Sequence, residues 1–571
     1  MRPDWLTIMF AAVLAVSNPV AAEDDLPPLG RSRFDLLIGN APTPYPFAKL
    51  ATKINAQMQQ DPGGLPPLKV TLIPLGRSLQ KNAGAPDFFH FPRVVAAADG
   101  INQPGFEPLK DRLFIGYHEK GAVLEVISYN DAAGRFEFQV VRDYQAGKTP
   151  QVYYARRSLC LACHQNAAPI FARPLWDETS ANPAIAKRLR DTRRDFYGVK
   201  LSGTDIAYFI DAAADRANLF SVWQTLWQHG CGAGESGDRC RMEAFDAALD
   251  YARNRTLPAP TDLPALDRNW AAHWPQGLPV PNPDLPNRDP LAAAANPMLA
   301  DPANDPLLPR TPLEIWRTPD KTAFIVGLAG MLDARAVRSL PRDLAAPLER
   351  LRLRGVFAAR PFGLSLLDAL RSELLIRHEL TMNVGRALSE GVSLGTARQV
   401  GLKADLQSRI KLAALIGKPR ARVYAALPRA QVEPASAARA DNPLVAPFRT
   451  HCASCHDTTL PHPPNFLHGS PAEVEAQLNQ CAARIFVRLS MNGVPESARV
   501  TSPMPPATAL ASHGVDPRQW RTSPELAALK RSIETRLRVP AARLLTQPYN
   551  RLPPCLPQTS PQHSYAAGHA P

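Results

Sequence analysis

The 571-residue chain has few cysteines, no block of charge of one sign, and no long apolar run beyond its first residues. Eight cysteines are too few for a small disulfide scaffold, and 45% apolar with 20% charged residues exclude a disordered tail. No run of five or more like charges occurs, so we expect the 13 excess basic charges on a solvated surface and no nucleic-acid partner. After residue 22, no segment reaches the roughly 18 apolar residues of a membrane-spanning helix. The length predicts about three compact, water-soluble units.

Proline is abundant, with 59 residues, about twice its usual share of roughly 5%. Residues 258–312 alone hold 14 prolines in 55 positions. Their Asn-Pro and Asp-Pro pairs favour turns, whereas Trp270, Trp274 and Leu307 favour burial. This stretch is therefore either a linker or a segment that wraps over a core.

The first 22 residues have the layout of a secretory signal. Arg2 precedes an apolar run of 11 residues, 6–16, which is too short to cross a bilayer as a helix. Small residues at 20–22 suit cleavage after about Ala22. We expect an exported, periplasmic protein in an oxidising compartment, not membrane-spanning once processed.

Four of the eight cysteines lie in two copies of one pattern, C-x-x-C-H. The copies are Cys160-Leu161-Ala162-Cys163-His164 and Cys452-Ala453-Ser454-Cys455-His456. This is the haem attachment pattern: each thiol adds to one vinyl group of a porphyrin, and the adjacent histidine binds the iron. A thioredoxin-like pair would not need the two histidines, and a zinc site would hold its cysteine pairs closer in sequence. The sequence predicts two covalently attached haem c groups, with His164 and His456 as iron ligands.

The other four cysteines predict two disulfide bonds. Cys231 and Cys240 flank a glycine-rich stretch, expected to be a flexible loop that closes easily. Cys481 would then pair with Cys555 and tie the tail to the second haem region. The alternative for Cys481 is a buried thiol on an apolar helix face.

The expected fold is mainly α with an N-terminal antiparallel β-rich segment (α+β). Short runs of Val, Ile, Phe and Tyr broken by turn residues predict a meander of strands that leads into the first motif. Apolar residues at helical spacing dominate the rest. The predicted units are a signal peptide (1–22), a β-rich segment (23–155), a helical first haem region (156–257), the Pro-rich stretch (258–312), a helical region (313–440), a second haem domain (441–545) and a Pro-rich tail (546–571).

The second haem domain resembles class I cytochrome c over about 100 residues. The order of features is that of the family: the attachment motif comes first, then a Pro-Met-Pro loop at 503–505, then a final helix. The resemblance implies a helical cytochrome c-like domain in which Met504 is the sixth iron ligand. A thioether opposite histidine raises the potential and suits electron transfer. Met491 is the rival ligand.

The first motif has no Met-Pro loop after it. Its sixth iron ligand could be His90, His118, His229 or Met242, or the pair His378 and Met382 on one predicted helix face. An open position is another option, and an open iron can bind peroxide, dioxygen or carbon monoxide. Three further side chains lie close to this motif in sequence: Trp176 could shape the pocket, and Arg156 and Arg157 could pair with haem propionates.

The motifs predict an exported di-haem c-type cytochrome that transfers electrons with a periplasmic redox partner or a small oxidant. A di-haem oxidoreductase, peroxidase- or oxygenase-like, with an open first iron is the alternative, and the layout loosely resembles bacterial di-haem peroxidases. The spacing of 292 positions between the two motif histidines is longer than that family implies. A haem-based sensor or a subunit of a redox complex is a third reading. No catalytic residue can be assigned from the sequence.

Overall fold

The computed structural model describes residues 27–103, 106–172, 178–192, 194–199, 201, 206–255, 262–285, 290–291, 306–332, 337–374, 427, 429–432, 443–458 and 463–555. The predicted signal peptide lies outside these residues, as do Trp176, His378 and Met382. Among the described residues, no helix combines the length and the apolar character that crossing a membrane requires.

The strands of the described residues are β1 (Met58–Gln59), β2 (Leu68–Ile73), β3 (Arg93–Ala98), β4 (Ile101–Asn102), β5 (Leu113–His118), β6 (Val123–Asn130), β7 (Arg135–Arg142), β8 (Gln151–Tyr154), β9 (Phe171–Ala172), β10 (Leu278–Val280), β11 (Asp284–Leu285) and β12 (Glu314–Trp316). Six of them form an antiparallel sheet in the N-terminal part of the chain, in the order β2-β3-β5-β6-β7-β8. The others form two-stranded pairs: β1 with β4, β10 with β12, and the parallel pair β9 with β11.

The two faces of the large sheet pack against different parts of the chain. Because side chains alternate along a strand, Ile115 and Tyr117 of β5 join a core with the two N-terminal helices. Phe114 faces the opposite side, where it packs in a core built mainly from the long helices. The sheet is therefore buried on both faces.

Helices make up most of the remaining described structure, so the expected combination of helices and an antiparallel sheet is confirmed. Before the second motif they are Arg33–Ile38, Phe47–Asn55, Arg157–Leu161, Pro183–Asp191, Ile206–Thr225, Gly234–Asn254, Pro264–His273, Lys321–Met331 and Ala345–Leu353. Residues 364–374 are helical as well. From the second motif onwards they are Ala453–His456, Pro471–Ser490, Ala507–Ser512, Pro517–Trp520, Pro524–Glu534 and Ala541–Leu545.

The C-terminal helices form a core of their own around the helix Pro471–Ser490. That helix begins at a capping box, in which Ser470 and Glu473 satisfy each other's backbone N–H groups. Its apolar face, which includes Val474 and Leu478, is fully buried. The helix Pro524–Glu534 packs against it.

Both cysteine pairs favoured by the sequence are disulfide-bonded. Cys231 and Cys240 have Cα atoms 5.7 Å apart, and Cys481 and Cys555 have Cα atoms 4.7 Å apart. The expected flexible loop between the first pair is partly wrong, because the helix Gly234–Asn254 begins inside it.

Candidate functional site

The first C-x-x-C-H motif lies directly after the sheet. Strand β8 leads into the short helix Arg157–Leu161, and Cys160 packs on a small apolar cluster of β6 and β7 that includes Phe138. Arg157 donates a hydrogen bond to the carbonyl of Phe136 at 2.5 Å and lies over the ring of Phe138. Arg157 therefore fixes the helix to the sheet.

His164 is held in the form that a metal needs. Its Nδ1 lies 2.9 Å from the carbonyl oxygen of Ala168. Since a carbonyl only accepts, Nδ1 carries the proton and Nε2 keeps its lone pair. Burial lowers the pKa of His164 to about 4, so the ring is neutral at pH 7. A neutral imidazole whose other nitrogen donates to a carbonyl is the usual arrangement of a metal-bound histidine.

Part of the Pro-rich stretch lies against this motif. Gln165 donates to the carbonyls of Pro306 and Leu308, at 3.2 and 2.9 Å. Arg310 donates to the carbonyl of Cys163 at 2.8 Å. Residues 306–310 therefore hold the motif through side-chain hydrogen bonds to backbone carbonyls.

The second motif repeats the arrangement of the first. His456, at the end of the helix Ala453–His456, has Nδ1 2.7 Å from the carbonyl oxygen of Pro464. The ring of Phe466 stacks on it at 4.3 Å. Burial lowers the pKa of His456 to about 4. Both motif histidines thus present Nε2 for a metal.

The two motifs lie side by side, although their histidines are 292 residues apart in sequence. The helices Arg157–Leu161 and Ala453–His456 have Cα atoms within 8 Å of each other. The helix Ala507–Ser512 also contacts Arg157–Leu161. The contact joins the sheet to the C-terminal helices, and no local sequence signal predicts it.

The residues at the two motifs fit covalent haem. The two disulfide bonds join the other four cysteines and use none of the motif cysteines. Near the second motif, the buried polar atoms that have no hydrogen-bond partner among the described residues include Trp520 Nε1, His451 Nδ1 and His513 Nε2. Buried polar groups normally have partners, and the carboxylates of a haem would supply acceptors.

Met504 lies in a loop fixed to the helix Pro471–Ser490 and to the turn that follows it. Its N–H donates to the carbonyl of Arg488 at 3.1 Å, and its carbonyl accepts from the side chain of Asn492 at 2.8 Å. The side chain is half-buried. The alternative ligand Met491 is 3% exposed and packs in the C-terminal core. Packing therefore explains its position without a bond to iron.

Among the other candidate ligands, His118 is the buried histidine of the large sheet. Gly121 N–H donates to its Nδ1 at 3.1 Å, so the proton of the neutral ring is on Nε2. This is the reverse of His164, and it leaves neither nitrogen with a lone pair for iron.

The remaining described candidates have ordinary roles. His90 is exposed beside Phe91, with ring centroids 4.7 Å apart. His229 stacks on His273 at 5.2 Å, and Met242 packs against the core of the long helices.

Sequence reasoning missed a charged pair on the sheet beneath the first motif, Arg93 and Glu125. Arg93 begins β3, a strand that the sequence did not predict, and the two residues meet only because β3, β5 and β6 are neighbours. Alternation along β6 is the one signal that could have placed Glu125 on this face.

Comparisons with protein-family models, with curated proteins and with solved structures give no match to this chain.

Proposed function

We propose that the protein is an exported di-haem c-type cytochrome that transfers electrons. Cys160, Cys163, Cys452 and Cys455 would carry the two haems, and His164 and His456 would bind their irons. Haem supplies reversible one-electron chemistry when it is bound. The contact between the two attachment helices is the main support for the proposal, because it brings the two motifs together, as electron transfer between two haems requires.

The chain's own residues support this role in three ways. Carbonyls of Ala168 and Pro464 orient the two histidines and fix their tautomers. Burial keeps both rings neutral. Arg488 and Asn492 hold the loop of Met504, which we assign as the sixth ligand of the second iron within a cytochrome c-like C-terminal domain. Its partner would be a periplasmic redox protein or a small oxidant.

Potentiometric titration of the purified, processed protein tests this proposal. We expect two reversible one-electron transitions per chain, the higher one belonging to the site with Met504. Met504→Ala should lower that potential and abolish the Met-to-iron charge-transfer band, and Met491→Leu should leave both unchanged. Persistence of the band in Met504→Ala would exclude Met504 as a ligand, and a redox-silent protein would refute electron transfer.

A second candidate is a di-haem oxidoreductase, peroxidase-like, with an open position at the first iron. The tautomer of His118 favours it, because that histidine pairs with Val123, a member of the cluster on which Cys160 packs, but does not offer a lone pair. Carbon monoxide added to the dithionite-reduced protein should then shift about half of the haem absorbance. An unchanged spectrum would exclude an open iron and leave electron transfer as the proposed function.

A further inference from the structure

The sheet presents a charged pair on the face where the first motif packs. Val123 and Ile127 of β6 belong to the cluster that also includes Cys160. Since residues two apart on a strand share a face, Glu125 lies on this face between them. Glu125 therefore belongs to the strand face on which Cys160 packs.

Arg93 reaches Glu125 across the intervening strand β5. Its Nη2 donates to the Glu125 carboxylate at 2.5 Å. The guanidinium crosses above Gly116, where an added Cβ would lie only 2.3 Å from Nη2. Glycine at 116 is therefore what allows this cross-strand pair to form.

The pair lies on the strand face that the first motif's histidine contacts. Phe138 of β7 pairs with Ile127 on this face, and its ring centroid lies 5.4 Å from that of His164. The side chains of Arg93 and Glu125 are only 21% and 34% exposed. Charges in partly buried surroundings interact more strongly than charges in open water.

We propose that Arg93 and Glu125 form the charged wall of the first haem pocket and set the reduction potential of that haem. This inference rests on the proposed function. The intact pair brings almost no net charge to the site. Losing Glu125 leaves a cation that disfavours the ferric state, and losing Arg93 leaves an anion that favours it. The two residues act on the haem through their charges and are not iron ligands.

Redox titration of single variants of the full chain tests the proposal. Glu125→Gln should raise the midpoint potential of the first haem, and Arg93→Gln should lower it. The double variant, neutral at both positions, should return close to the wild-type value. The second haem should shift less than the first in both single variants, because the charges lie on the sheet face of the first motif.

Asp191→Asn is the matched control. It removes one carboxylate from the exposed pair of Lys187 and Asp191, whose side chains are 73% and 60% exposed, and it should shift neither potential. Equal shifts of both haems, or shifts of the same sign in Glu125→Gln and Arg93→Gln, would overturn the inference. If a single variant folds poorly, the double variant decides: a potential far from wild type overturns it too. Fewer than two haems in the wild-type protein would instead refute the proposed function.

Discussion

Replacing Asn492 with alanine should loosen Met504 without touching the haem attachment. Asn492 is 5% exposed, and its side-chain N–H groups donate to the carbonyls of Met504 at 2.8 Å and of Leu489 at 3.1 Å. A lost hydrogen bond of this kind costs about 1 to 1.5 kcal/mol. Since 1.4 kcal/mol is about tenfold, the population with Met504 detached should rise about tenfold.

Imidazole binding to the ferric protein measures that population. The apparent affinity of a competing ligand scales with the fraction of sites that are open, so Asn492→Ala should bind imidazole about tenfold more tightly at the second haem. Asn479→Ala, on the exposed face of the helix Pro471–Ser490, is the control and should bind as wild type does. An unchanged imidazole affinity in Asn492→Ala would refute the role given to this hydrogen bond.

Three further predictions concern stability. Replacing Cys481 and Cys555 with serine releases a loop of sequence separation 74 and should cost about 4 kcal/mol in urea unfolding; a loss under 1 kcal/mol would contradict this. Burial lowers the pKa of His118 to about 4, so its contribution is complete above about pH 6.5 and is lost as the pH falls towards 4. In His118→Gln, the fall in the free energy of unfolding between pH 6.5 and 4 should be smaller by about 3 kcal/mol. A pH profile of stability equal to that of the wild type would exclude this role of His118. Arg310→Ala removes the hydrogen bond to the carbonyl of Cys163 and should destabilise the packing of residues 306–312 on the motif by about 1 kcal/mol per lost hydrogen bond. Faster hydrogen exchange at residues 306–312 would show this.

Local patterns predict most of the regular elements. Short runs of Val, Ile, Phe and Tyr between turn residues indicate β2 and β5 to β8, and Ser470 with Pro471 marks the start of the long C-terminal helix. Strand β3 escapes prediction because half of it is alanine, a weak strand former, and only its pairing with β2 and β5 makes it a strand.

The chemistry of the candidate sites is readable from the sequence, but their relative position is not. The cysteine and histidine pattern is contained in five residues, so spacing alone reveals it. The contact between the motifs and the pair of Arg93 and Glu125 depend on strand order and on packing between distant segments. The tautomer of His118 depends on a turn at Gly121, which no pattern in the sequence specifies.

Intact mass spectrometry of the denatured, exported protein, with peptide mapping of both motifs, tests the central claim most directly. We expect a chain heavier than its polypeptide by two haems, one on Cys160 and Cys163 and one on Cys452 and Cys455. A pyridine haemochrome assay on the same sample should give two haems per chain. A bare polypeptide mass, a single haem, or a disulfide bond within either motif would contradict it.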